Sequence, residues 1–118
     1  MVIVIGRVRC QPAEREALEG LLATMQERSR LEAGCISYGF YQSIEDDTEY
    51  VAVEEWESQN ALDRHFQQPH LIEFSAGLAK TVSAAPTVAF HEVAGTTSPG
   101  ARDSAHDQRG DEGLAEQP

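Results

Sequence analysis

Residues 35–56 read CISYGFYQSIEDDTEYVAVEEW, and the way this run divides decides the fold. From Cys35 to Ile44, Ile36, Tyr38 and Phe40 alternate with Ser37, Gly39 and Tyr41, the two-residue period of a strand. Glu45, Asp46, Asp47 and Thr48 follow with nothing apolar to bury, which suits a turn. From Glu49 to Trp56 the β pattern resumes through Tyr50, Val51 and Val53. Two strands joined by so short a polar link form an antiparallel hairpin.

The flanks complete the pattern. Val2-Ile3-Val4-Ile5, extended by Val8, is a β-branched run that reads as a strand buried on both faces. Pro12 suits a first helical turn, and Leu18, Leu21, Leu22, Met25 and Ser29 make one apolar helical stripe after it. Gly34 is placed to end that helix as a left-handed cap. Beyond the hairpin, Ser58 is an N-cap residue ahead of Ala61, Leu62, His65 and Phe66. Pro69 breaks that helix and opens another carrying Leu71, Phe74, Leu78 and Val82, and Pro86 to Val93 reads as a last strand. The order β-α-β-β-α-β predicts an α+β fold of ferredoxin-like type, with a four-stranded antiparallel sheet and its helices on one face. Residues 1–94 are the expected domain. From Gly95 to Pro118 the composition turns to Gly, Ser, Thr, Asp and Gln, with Leu114 the lone large apolar residue, and a disordered acidic tail is expected.

Such a sheet leaves one face uncovered. Here the strands carry apolar groups at both parities: Val2 and Val4 with Ile3 and Ile5, and Tyr50, Ala52 and Trp56 with Val51 and Val53. A sheet with one wet face alternates more cleanly. The expected solution is a homodimer packed sheet to sheet.

Charge and length narrow the partners. The net charge of −11 divides into −8 over residues 1–94 and −3 over the remainder, so the acidity is a solvated surface. Nucleic acid and anionic membranes are excluded, because both need Lys and Arg against phosphate. Two cysteines, Cys10 and Cys35, make no disulfide framework, and Met1–Ile5 runs straight into Arg7 and Arg9 without a signal-peptide core. A cytoplasmic setting with free thiols is expected.

The chemistry-bearing residues follow the hairpin. Glu54 shares its strand parity with Trp56, the only tryptophan, and His65 lies on the apolar stripe of the next helix. If that parity faces the helices, Glu54, Trp56 and His65 converge, and a carboxylate beside an imidazole in an apolar pocket can exchange protons. Tyr38, Phe40, His70 and Phe74 are the expected substrate contacts. The blander reading makes Trp56 a core aromatic and His65 a satisfied core histidine. No metal site is expected, because His65 and His70 lie five apart instead of at helical i, i+4 spacing and no Cys motif accompanies them. No phosphate loop, dinucleotide fingerprint or Gly-x-Ser-x-Gly nucleophile site is present, and no cofactor is expected.

Val53-Glu54-Glu55-Trp56-Glu57-Ser58, then His65-Phe66-Gln67-Gln68-Pro69-His70, resembles the Glu-x-Trp-Glu-Ser…His…Pro-His run of the antibiotic biosynthesis monooxygenase family. The first strand, Pro12 and Glu32-Ala33-Gly34-Cys35 resemble its first half, so the likeness covers about residues 1–94. It implies a dimeric α+β barrel and oxidation of a phenolic or quinol substrate by O₂ without metal or flavin. In that setting Trp56 would wall the pocket and His65 would be base or hydrogen-bond partner. The polyketide-tailoring members carry an Asn four residues before the Trp and a Tyr six after it, where this chain has Ala52 and Leu62. Haem-degrading relatives place a haem-ligating His ten residues after the Trp, where this chain has Phe66. The alternatives are a non-catalytic aromatic-binding domain and, behind it, a haem binder.

Overall fold

The structure, a computed structural model, describes residues 1–100; the expected disordered tail mostly lies outside them. Strand β1 (Val2–Arg9) leads through one 3-10 turn at Pro12–Glu14 into helix α1 (Arg15–Ser29). The hairpin is β2 (Cys35–Gln42) and β3 (Glu49–Trp56). Helices α2 (Gln59–His65) and α3 (Pro69–Thr81) then lead to β4 (Thr87–Glu92). The four strands order as β2-β3-β1-β4 and every pairing is antiparallel, so the ferredoxin-like reading holds. Among the described residues no helix is long and apolar enough to cross a membrane, and both cysteines are free.

Register fixes what each face presents. Val4 pairs with Glu54 and Phe90, and Gly6 with Ala52 and Val88, so these side chains share the helix-covered face. There Val2, Val4, Tyr50, Ala52, Glu54 and Trp56 are buried. Leu18, Leu22, Met25 and Ser29 of α1 pack down onto that face, and full burial of a Leu side chain contributes about 2 kcal/mol. One cluster gathers Trp56, Tyr38, Met25, Ala61 and Leu62, and a second gathers Cys10, Leu18, Leu22 and Tyr50.

Three expectations need correction. First, β1 is not buried on both faces: Ile3 and Ile5 on the outer face are half-buried, as are Val51 and Val53, because among the described residues no element crosses that side. Second, β2 stops at Gln42, and Ile44 is fully exposed in the turn, where Ser43 Oγ accepts from the amides of Glu45 and Asp46. Third, Gly34 does not cap α1, which ends at Ser29 with Arg30 still right-handed. Gly34 does adopt a left-handed φ of 86°, and a Cβ there would come within 2.5 Å of the Ala61 Cβ. Its role is to let the loop that follows α1 lie directly on α2.

Candidate active site

Helix α3 stands off from the sheet. Its Leu71, Phe74 and Leu78 point toward β1, β3 and β4, but the sheet answers with the small pair Gly6 and Ala52 at its centre. The missing side-chain volume leaves a largely apolar cavity of about 410 Å³. Phe40 and Phe74 line it, and Phe66 and Phe90 stand edge to face at 5.8 Å in its wall, both half-exposed. Of the polar residues lining it, Tyr38, Glu54 and His65 are buried, with 4 %, 7 % and 2 % of their surface exposed, so they meet a ligand instead of bulk water.

Glu54 reaches the cavity from β3. Trp56 Nε1, two residues along the same face, donates to Glu54 Oε1 at 2.9 Å. Burial pushes the carboxyl up to about 7; bonds from Trp56 and Tyr38 oppose that rise, and the charge of Glu32 adds to it. A carboxyl near neutrality can take or return a proton without a large driving force. Burial likewise pushes the Tyr38 hydroxyl above its ordinary value, assisted by Glu54, so it remains a neutral donor.

His65 is the last residue of α2, whose start is set by Ser58 Oγ accepting from the Ala61 amide at 3.1 Å. Its ring sits 4.6 Å from that of Trp56 and 5.7 Å from that of Tyr38. Burial pulls its pKa below the ordinary 6.5, against the opposing bond from Glu32, so the imidazole is neutral near pH 7. His65 Nδ1 lies 2.8 Å from Glu32 Oε2. A carboxylate only accepts, so Nδ1 carries the hydrogen, and Nε2 is left as a lone-pair acceptor.

The expected residues therefore divide. Glu54, His65, Tyr38, Phe40 and Phe74 meet around the cavity. Trp56 does not touch it: the indole is fully buried one layer behind, where it holds Glu54 and flanks His65. His70 is not a cavity residue either. Its Nε2 lies 2.6 Å from Glu32 Oε2, and it lines a separate polar cleft with Arg28, Arg64 and Gln68.

Both histidines converge on Glu32, a residue that the sequence singles out only through its place in the family likeness. A signal was available: Glu32 follows the C-terminal end of α1, where a carboxylate opposes the helix dipole. Glu32, His65 and His70 also form a candidate metal-ligand group, their ligand atoms lying within 4.8 Å of one another. Both nitrogens, however, approach one oxygen at 2.8 and 2.6 Å, which are hydrogen-bond separations. A tetrahedral ligand set at ordinary metal distances has edges of about 3.3 Å. The arrangement as it stands is a hydrogen-bonded triad.

Comparison with known proteins agrees with this architecture. The chain is 40% identical over 73 residues to the Synechocystis protein sll1783, covering 62% of this chain but only half of that one. It is 38% identical over 82 residues to Rv0793 of Mycobacterium tuberculosis, provisionally named a monooxygenase, covering 70% of this chain and 80% of that one. The solved structure of Rv0793 superposes with a TM-score of 0.77 over 82% of this chain and 98% of that chain. PA3566 of Pseudomonas aeruginosa superposes at 0.73, with 28% identity over 80% of this chain and 94% of that one. The sequence model of the antibiotic biosynthesis monooxygenase family matches residues 1–77. On that match and on the Rv0793 likeness, this chain belongs to the antibiotic biosynthesis monooxygenase family.

Proposed function

We propose that the chain is a monooxygenase that oxidises a phenolic or quinol-type aromatic ring with O₂ inside this cavity, without a metal or flavin. The observation that carries the reading is a pair of proton acceptors, a carboxyl near 7 and a neutral imidazole, facing one apolar cavity of about 410 Å³. A phenol that loses its proton becomes an electron-rich phenolate, able to pass an electron to O₂ directly. Glu54 or His65 Nε2 takes that proton. Phe40, Phe74 and Leu71 supply apolar contact to the ring. Trp56 acts through Glu54, and its indole does not stack on the substrate. The ring supplies all four electrons that O₂ takes up: one oxygen atom enters it, the other leaves as water, and the product is at the quinone level, so no external reductant is consumed and no net proton is released.

We propose further that the working unit is a homodimer. Ile3, Ile5, Val51 and Val53 form a half-buried apolar band on the outer face of the sheet, with Tyr41 60% exposed beside it. A second copy packing there about a two-fold axis would dry that band.

The test is O₂ uptake with menadiol by chelator-treated protein, against an anaerobic arm and the autoxidation rate. His65→Ala and Glu54→Gln are expected to lower kcat/KM, on the order of a hundredfold for whichever is the base. Uptake equal to autoxidation, or uptake that neither variant changes, defeats the reading. Saturable quenching of Trp56 fluorescence without turnover would instead indicate aromatic sequestration, and a Soret band on haem addition would indicate haem binding.

A further inference from the structure

His65 faces the apolar cavity, whereas Glu32 and His70 face the polar cleft formed by Arg28, Arg64 and Gln68. One carboxylate oxygen, Glu32 Oε2, touches both rings, at 2.8 Å from His65 Nδ1 and 2.6 Å from His70 Nε2. Side-chain exposure rises along the chain of contacts from 2 % at His65 to 9 % at Glu32 and 12 % at His70, so water reaches the outer ring first. The three residues come from three elements: the loop after α1, the end of α2 and the first turn of α3. Nothing in core packing requires two imidazoles to share one oxygen.

We propose that Glu32 and His70 form, with His65, a proton relay joining the substrate cavity to the outer cleft. The inference rests on the reaction proposed above. When His65 Nε2 takes the phenolic proton, Nδ1 passes its own to Glu32 Oε2. The two rings donate to Glu32 Oε2 in turn: while His65 Nδ1 holds the hydrogen, His70 rests as the Nδ1–H tautomer. Glu32 therefore hands the proton to the bare Nε2 of His70, and His70 Nδ1 releases its own to water in the cleft. The return half of the reaction needs a proton to make water from the reduced oxygen. His65 Nε2 then donates and the relay runs inward, restoring each tautomer. Out and back, the count closes on a reaction that releases no net proton. Glu54 and Tyr38 face the inner end of this path, and Arg28 and Arg64 the outer end. Glu32 and His70 are positioning and relay residues; neither lines the substrate cavity.

The discriminating variant is His70→Gln. Its amide can turn either its nitrogen or its oxygen to Glu32 where Nε2 stood, so the packing role survives in either state, but it has no titratable nitrogen to carry a proton. In ring ¹⁵N spectra of the full chain, saturation transfer from water reads the exchange of the His65 Nδ1 proton. Expected is slowing on the order of tenfold or more in His70→Gln at unchanged melting temperature. Glu32→Gln, which still accepts from a ring but cannot carry a proton, is the second variant and must slow exchange likewise. With menadiol, His70→Gln lowers kcat at constant KM, and imidazole added to the solution restores it. Exchange as fast in both variants as in the unaltered chain overturns the relay. Absence of O₂ uptake by the unaltered chain defeats the proposed reaction instead, and the exchange measurement still decides the relay.

Discussion

Glu54→Gln should flatten a pH dependence of stability that burial of Glu54 imposes. The folded carboxyl sits at about 7, against 4.5 for an unperturbed one. Between those values the folded state holds the proton more tightly than the unfolded state, so stability falls as pH rises from about 4.5 and levels off above about 7. At about 1.4 kcal/mol per pH unit the full span corresponds to about 3 kcal/mol. Over pH 5 to 8, which keeps clear of the isoelectric point near 4.6, most of it is sampled.

His65 works in the opposite direction. Its pKa is lowered in the folded state, so its contribution is present above about 6.5 and is lost as pH falls through the unfolded value. The two slopes partly cancel in the unaltered chain. They separate in the difference between that chain and Glu54→Gln, because Glu54 is not among the groups that shift His65. The glutamine oxygen can still accept from Trp56 Nε1, so its own burial cost is independent of pH and drops out of the slope. Urea unfolding followed by Trp56 fluorescence at several pH values gives the two curves. The variant should gain on the order of 2 to 3 kcal/mol relative to the unaltered chain between pH 5 and 8. Parallel curves would refute the assignment of a raised carboxyl to this buried site.

Trp56→Phe removes the donor that favours the ionised carboxyl, so the Glu54 midpoint should climb above about 7, read as an upward shift of the acidic limb of the kcat/KM profile. Ala52→Leu places a larger side chain in the cavity, and should abolish quinone quenching of Trp56 while raising the melting temperature; retained quenching would move the ligand elsewhere. Gly34→Ala forces a side chain into positive φ against Ala61, and a loss of at least about 2 kcal/mol is expected in chemical denaturation. Val53→Asp puts a charge in the outer apolar band, and sedimentation should show it as a monomer if the dimer forms there.

Local periodicity carried most of the fold. Alternation in residues 35–56, the leucine stripe of α1, and the Ser58 and Pro69 punctuation each act within a few residues, so the sequence displays them directly. That Glu54 and Trp56 share the face turned toward His65 follows from strand parity, which places side chains on a face before any coordinates exist. Parity could not order the layers, however. Whether Trp56 lines the cavity or stands behind it depends on how far α3 lies from the sheet, and that distance is set by the small pair Gly6 and Ala52 meeting across two strands. Glu32 is the more instructive miss. It lies 33 residues from His65 and 38 from His70, joined to them by a loop whose path depends on Gly34 resting on Ala61. No periodicity spans such a gap. What the sequence does hold is an unfavourable local choice, a carboxylate beyond a helix C-terminus, and a residue that opposes its local field is reason to look for distant partners that favour it there.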